Sequence, residues 1–193
     1  ADACYSRLMN VPERYNRLAT TEEVDAQIDR LAAEILTDET DRSPLFVSLL
    51  HGAAPFASKL MFAIARQSPE FHPDLKAMIV STYGDGQQAG EPHIVTDLPP
   101  TTAVSGRDVI VVDDVLDKGI TADFVAQHLR IRGAATIRLA VLCDKLTQRE
   151  RDVTADYAGF TMADNWLVGM GMDDAAIADE GYRWLEEIWE IKK

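Results

Sequence analysis

The densest chemistry in the chain lies in residues 109–121, VIVVDDVLDKGIT. Four apolar β-formers, Val109 to Val112, lead into two adjacent carboxylates, Asp113 and Asp114. A third, Asp117, comes just before Gly119 and a helix start. Where a loop becomes a helix, free backbone N–H groups can grip a phosphate dianion without Lys or Arg. The turn Lys118, Gly119, Ile120, Thr121 offers that cradle, and the Thr121 hydroxyl adds a donor. Carboxylates beside a phosphate are repulsive unless they accept hydrogen bonds from hydroxyls or approach through Mg²⁺ and its waters. The segment therefore calls for a sugar with phosphate on one side and hydroxyls on the other. The plainer alternative has Asp113 and Asp114 end a strand while Asp117 caps a helix.

These groups need a scaffold, and the flanking pattern supplies one. Thr20-Thr21-Glu22-Glu23 reads as a capping box, in which hydroxyl and carboxylate each satisfy a free backbone N–H. Val24, Ile28, Leu31 and Ile35 then follow at helical spacing, and the helix is expected to end before Asp41 to Pro44. Leu45 to Leu50 is a continuous apolar run, as in a strand covered on both faces. His51 to Ala54 is a tight turn, and Pro55 opens a helix through Phe56, Leu60 and Ile64. Lys76 to Thr82 is a second apolar run. Tyr83 to Gly90 (YGDGQQAG) reads as a mobile loop with a short strand, His93 to Val95, beyond it.

Asp108 to Val112 is the clearest buried strand, and the loop after it is expected to begin at Asp113. A helix over Thr121 to Arg132 follows, closed by Gly133, and then a strand over Thr136 to Leu142. Further strands are expected at Tyr157 to Phe160 and Trp166 to Met170, with a C-terminal helix carrying Trp184 and Trp189. Strand–helix–strand units with apolar strands imply parallel pairing. The expected fold is an α/β open, mainly parallel sheet with helices on both faces. Ligands in such sheets sit at the C-terminal strand ends. That places the turns at His51, Tyr83, Asp113, Lys145 and Trp166 together.

Composition narrows the function. The 193 residues fit one domain, since roughly 100–200 residues per domain is usual. With 19 Lys+Arg against 32 Asp+Glu, the net charge of −13 argues against nucleic acid or an anionic membrane surface as partner. The most apolar stretch, Pro44 to Ala65, is broken by His51, Gly52, Pro55 and Lys59, so no membrane span is expected. Two cysteines, Cys4 and Cys143, make no disulfide framework, which points to a reducing cytoplasmic setting. No G-x-G-x-x-G follows a strand and no Cys/His zinc spacing occurs. A receiver-like signalling domain would spread its aspartates over several strands, whereas here they share one turn.

The acidic-acidic-x-x-Asp-x-Gly-x-Thr pattern after four apolar residues resembles the phosphoribosyl pyrophosphate motif of type I phosphoribosyltransferases. Further segments are similar to the hypoxanthine-guanine subfamily: LLHGAAPFASKL to its pyrophosphate loop, Thr82-Tyr83 to its Ser-Tyr lid, and residues 144–173, with D-Y-x-G-F and V-G-x-G-x-D, to its purine-binding end. The resemblance implies one domain over 1–193, a core of about 20–160 and a base-binding hood from about 1–20 and 160–193. It implies purine salvage: Mg²⁺-dependent transfer of 5-phosphoribosyl from phosphoribosyl pyrophosphate to a 6-oxopurine (hypoxanthine, guanine or xanthine), in a homodimer or homotetramer.

Each residue then has an implied role. Asp113 and Asp114 hold the ribose hydroxyls and approach the metal together with Asp173. Lys118, Gly119, Ile120 and Thr121 cradle the 5′-phosphate. Asp117 manages the proton on the purine's imidazole edge. Leu50, His51 and Gly52 form the pyrophosphate loop, with a cis peptide at Leu50–His51, and Thr82 and Tyr83 begin the lid. Lys145 donates to the 6-oxo group, Trp166 stacks on the base, and Leu167 offers backbone groups to its edge. The alternatives are a solvated Lys145 beside Asp144, a core Trp166, Asp173 as a turn residue, and a plain surface hairpin tip at Tyr83.

The chain departs from the family pattern at three places. His51 stands where Lys is common, Lys118 and Ile120 alter the side chains of the phosphate turn, and Asp174 to Asp179 intervene before Arg183. The resemblance leaves open whether Arg183 reaches the site. These departures motivate a second reading, a nucleotide-binding or regulatory relative with little turnover.

Overall fold

The computed structural model describes residues 13–39, 43–83, 89–147, 149–174, 176–177 and 181–192. The expected N-terminal arm, Cys4 and the middle of the lid loop, residues 84–88, lie outside these. The elements are β1 (Tyr15–Ala19), α1 (Thr21–Asp38), β2 (Leu45–Leu50), α2 (Ala54–Gln67), β3 (Asp74–Tyr83), β4 (Ala89–Thr96), β5 (Asp108–Leu116), α3 (Ile120–Ile131), β6 (Thr136–Lys145), β7 (Tyr157–Met162), β8 (Leu167–Val168) and β9 (Ile188–Ile191).

Local chemistry explains the helix starts. Thr20 caps α1 by accepting from the Glu23 amide at 3.2 Å, while the Glu23 carboxylate accepts from the Thr20 amide at 2.9 Å. Pro55 sits in the first turn of α2, where no amide donor is needed. Six strands then form one sheet in the order β4-β3-β2-β5-β6-β7, parallel except for the antiparallel edge pair β3–β4. Alternate residues of β5 face opposite layers. Ile110 and Val112 pack with α1 and α2 through Ile28, Leu31, Phe56 and Leu60. Val109 and Val111 pack with α3 through Val125 and Leu129. The helices therefore lie on both faces, as expected, and Leu45 to Leu50 is apolar but for Ser48 because both sides are covered.

A smaller antiparallel sheet, β1-β9-β8, joins the first described strand to the last. Here the structure corrects two expectations and adds one strand. Among the described residues no C-terminal helix forms. Trp184 lies in a turn and Trp189 in β9, where it pairs with Arg17 of β1 and Val168 of β8. Apolar residues spaced like a helix face are instead drawn into the sheet by partners remote in sequence, and Ile188 is fully buried there. The strand at Trp166 to Met170 shrinks to Leu167–Val168, because Met170 has a positive φ of 49° and turns the chain. β1 carries exposed residues at three of its five positions, so no burial pattern announces it.

Candidate active site

The first correction at the site is that β5 does not stop at Val112. It runs to Leu116, with Asp113, Val115 and Leu116 still in register with Val141, Cys143 and Asp144 of β6. Asp113 and Asp114 are strand residues whose carboxylates accept from the next amide, Asp114 N–H to Asp113 Oδ1 at 3.0 Å and Val115 N–H to Asp114 Oδ1 at 2.8 Å. Burial pushes both carboxyls above the usual carboxylate range, and the neighbouring Asp114 charge raises Asp113 further. Arg183 acts in the opposite direction on Asp114.

The chain then turns through Asp117–Gly119 into α3. The N-cap of α3 is Gly119, at φ 81°, a left-handed conformation suited to glycine. No side chain caps this helix, which removes the reading of Asp117 as a cap. Among the described residues, the amides of Lys118, Gly119, Ile120 and Thr121 have no backbone acceptor. They border a cavity of about 480 Å³ lined also by Leu50, Gly52, Thr82, Asp113 and Asp114. The Lys118 side chain leaves the cavity and pairs with Glu150 at 2.6 Å, so this residue offers the cavity its backbone.

Opposite the turn stands the β2–α2 corner. The Leu50–His51 peptide is cis, as expected. His51 is exposed and Gly52 faces Asp114. A Cβ on Gly52 would fall well inside contact distance of Asp114 Oδ2, and one on Gly171, at φ 105°, would strike the Gly52 carbonyl. Two glycines thus let the acidic strand end, the β2–α2 corner and the chain after β8 touch. Thr82 lines the same cavity, and Tyr83 ends β3 with its side chain outside the described residues.

A second cavity of about 190 Å³ shares Asp114, Val115 and Asp117 with the first and adds Lys145, Trp166, Leu167, Met172 and Asp173. Lys145 is the last residue of β6, not a residue beyond the strand, and is 9% exposed, so it is no solvated surface lysine. Its Nζ lies 3.3 Å from Asp117 Oδ2, and the Thr147 hydroxyl donates to Asp117 Oδ1 at 3.1 Å. Trp166 is 56% exposed, which excludes a core role, and its Nε1–H donates to the Asp173 carbonyl at 2.8 Å. Arg183 reaches this side. It pairs with Asp173 at 3.0 Å and donates to the Gly171 carbonyl.

Reading the sequence left Thr147, Arg149, Gly171 and Met172 without a role. Arg149 donates to the Leu116 and Asp117 carbonyls and to Asp144. Only Gly171 carried a signal, as the second glycine of V-G-x-G.

The chain matches the phosphoribosyl transferase domain family over residues 14–175. It is 34% identical over 176 residues to a hypoxanthine-guanine phosphoribosyltransferase of Bacillus subtilis, covering 91% of this chain and 92% of that protein. A protein of the same name from Streptococcus thermophilus is 32% identical over 177 residues, with the same coverage. Among solved structures, a hypoxanthine phosphoribosyltransferase of Staphylococcus aureus superposes with a TM-score of 0.80 at 29% identity, over 92% of this chain and 91% of that one.

Proposed function

This chain belongs to the phosphoribosyl transferase family, and on that premise we propose that it makes purine mononucleotides. It moves the 5-phosphoribosyl group of phosphoribosyl pyrophosphate onto a 6-oxopurine, hypoxanthine or guanine, and releases pyrophosphate. Xanthine is a further candidate. The observation that carries this reading is the wall shared by the two cavities, Asp114, Val115 and Asp117. A sugar phosphate in the larger cavity and a base in the smaller one would meet across that wall, where a bond between them has to form.

The chain's own groups then divide the work. The amides of Lys118, Gly119, Ile120 and Thr121, with the Thr121 hydroxyl, hold the 5′-phosphate at the positive end of α3. Asp113 and Asp114 accept from the ribose hydroxyls, donors that compensate the burial of this carboxyl pair. Leu50, His51 and Gly52 face the leaving pyrophosphate through backbone groups. Lys145 donates to the 6-oxo group. An adenine amino group there would leave both donors unpaired, at a cost of about 1–3 kcal/mol. Trp166 stacks on the ring, Leu167 meets its edge, and Asp117, beside Lys145, takes the proton from the imidazole nitrogen as its partner attacks the sugar. Charge spreads over the sugar in an oxocarbenium-like transition state, so alignment and exclusion of water carry much of the rate. Thr82 and Tyr83 begin the lid, and the β1-β9-β8 sheet serves as the hood.

Magnesium fits the donors present. Asp113, Asp114 and Asp173 offer hard carboxylate oxygens, and among the described residues no three His, Cys, Asp or Glu side chains converge into a cage. Such a set suits an ion that keeps waters and shares substrate oxygens. When bound, it would neutralise pyrophosphate charge. No helix among the described residues is long and apolar enough to cross a membrane. The reading includes a cytoplasmic homodimer or homotetramer, which sedimentation would check.

Incubating the protein with phosphoribosyl pyrophosphate, Mg²⁺ and labelled hypoxanthine, guanine, xanthine or adenine tests the reading. Nucleotide should form with hypoxanthine or guanine and not with adenine. Nucleotide binding without turnover on any oxopurine would decide for the regulatory relative, which exposed His51 still motivates.

A further inference from the structure

The phosphate turn is clamped from its outer side by Thr147, Arg149, Glu150 and Arg151, and the clamp is built from donors. In each peptide unit the carbonyl and the following amide point in opposite directions. Drawing the carbonyls of a turn outward therefore drives its amides inward, which is the geometry of an anion nest. Here every carbonyl from Leu116 to Gly119 has a donor. The Arg149 guanidinium gives Nη1–H to Leu116 O at 3.1 Å and to Asp117 O, and Thr147 Oγ1 adds a donor to Asp117 O at 3.3 Å. Lys118 O accepts from the Glu150 and Arg151 amides at 2.9 and 3.2 Å, and Gly119 O from the Asp123 amide at 2.9 Å. The other arm of Arg149 reaches Asp144 Oδ1, and Asp144 is the β6 partner of Leu116 in the last register pair of β5 and β6. The guanidinium thus bridges the point where the chain leaves the sheet.

Backbone donors to Lys118 and Gly119 survive any side-chain change, whereas the ties at Leu116 and Asp117 depend on side chains. We propose that Arg149 is a positioning residue: by holding the Leu116 and Asp117 carbonyls outward against Asp144, it keeps the amides of the turn aimed at the 5′-phosphate. It touches no substrate. Its planar fork, not its charge, does the work, because one ammonium cannot span two carbonyls and a carboxylate in a fixed plane.

This inference rests on the phosphate-cradle reading above, and the experiment separates the two. Calorimetric titration with guanosine 5′-monophosphate and with guanosine gives the preference for the phosphorylated ligand, with melting curves as a check on folding. Arg149→Ala should cut that preference about tenfold, through the nucleotide and not the nucleoside. Arg149→Lys should fall nearly as far and serves if the alanine variant does not fold. An unchanged preference in the variants, whether through no loss or through equal loss of both ligands, overturns the proposal, as does full recovery in Arg149→Lys. A wild-type protein with no preference for the nucleotide overturns the cradle reading and this one with it.

Discussion

The phosphate-side cavity and the base-side cavity meet at Asp114, Val115 and Asp117, yet they draw on different amounts of chain. The first takes most of its lining from one unbroken segment, Asp113 to Ala122, where a strand end, a turn and a helix start follow one another. The second collects Lys145 from the end of β6, Trp166 from just before β8, Leu167 from its start, and Asp173 from the chain beyond it. On the proposed reading the phosphate side grips by backbone amides, with Arg149 behind the turn as the side chain that aims them. The proposed base side consists of side chains held in place through long-range ties, such as Arg183 on Asp173 and Gly171 on Gly52. A site of the first kind is set by local folding. A site of the second kind exists only when two sheets are docked.

The largest expected effect falls at the shared wall. Asp117→Asn keeps the turn's backbone and the shape of both cavities but removes the carboxylate proposed to accept a proton. Turnover should fall by about 10²–10⁴ while the affinity for a purine mononucleotide stays within a few-fold. Steady-state kinetics beside calorimetry on the same variant read both. If the rate survives, Asp117 is a wall and not a base, and proton transfer has to be assigned elsewhere.

The same contrast decides what could be read without a structure. The nearly continuous lining of this cavity is why VIVVDDVLDKGIT could be read as a candidate site directly: four apolar β-formers, three acids, one glycine and a threonine in one run. Even there the strand's end was misjudged. Acidic residues look like a loop, and only pairing with Cys143 and Asp144 of β6 carries β5 on to Leu116. The outer clamp was invisible, because Arg149 acts on carbonyls and carbonyls leave no mark in a sequence. On the base side the motif order supplied candidate residues but not their burial or partners. That Lys145 is buried against Asp117, and that Arg183 returns to Asp173 across the intervening residues, follow from docking alone. The missing C-terminal helix has the same origin: β9 is a strand because β1 and β8 flank it.

A middle-sized effect should separate the two kinds of construction. Gly171 has φ 105°, and any Cβ there would collide with the Gly52 carbonyl. Gly171→Ala combines backbone strain with a clash between backbones that no rotamer relieves, so a loss of about 1–3 kcal/mol in stability is expected. The damage should be uneven. The docked chain after β8 carries Asp173, so affinity for the base and for pyrophosphate should drop about tenfold or more. Inorganic phosphate or ribose 5-phosphate, if held by the Lys118 to Thr121 amides as proposed, should bind almost as before. Equal losses on both sides would mean that the phosphate turn also depends on the docked hood, and the division drawn above would fail.

The smallest effect probes how the base side is coupled within itself. Trp166 offers a broad face to a base and, through Nε1–H, a hydrogen bond to the Asp173 carbonyl at 2.8 Å. Trp166→Phe keeps an aromatic face and removes the bond. The indole is more than half exposed, so water can replace the lost partner, and the net cost should be about 0.5–1 kcal/mol, or two- to fivefold. If the bond merely orients the ring, the penalty appears in KM for the base alone. If it also steadies Asp173, which pairs with Arg183, KM for phosphoribosyl pyrophosphate rises by a similar factor with kcat little changed. We expect the second pattern, because Asp173 joins the Trp166 platform to Arg183 through one residue's backbone and side chain. A change confined to the base would show that the two ties on Asp173 act independently.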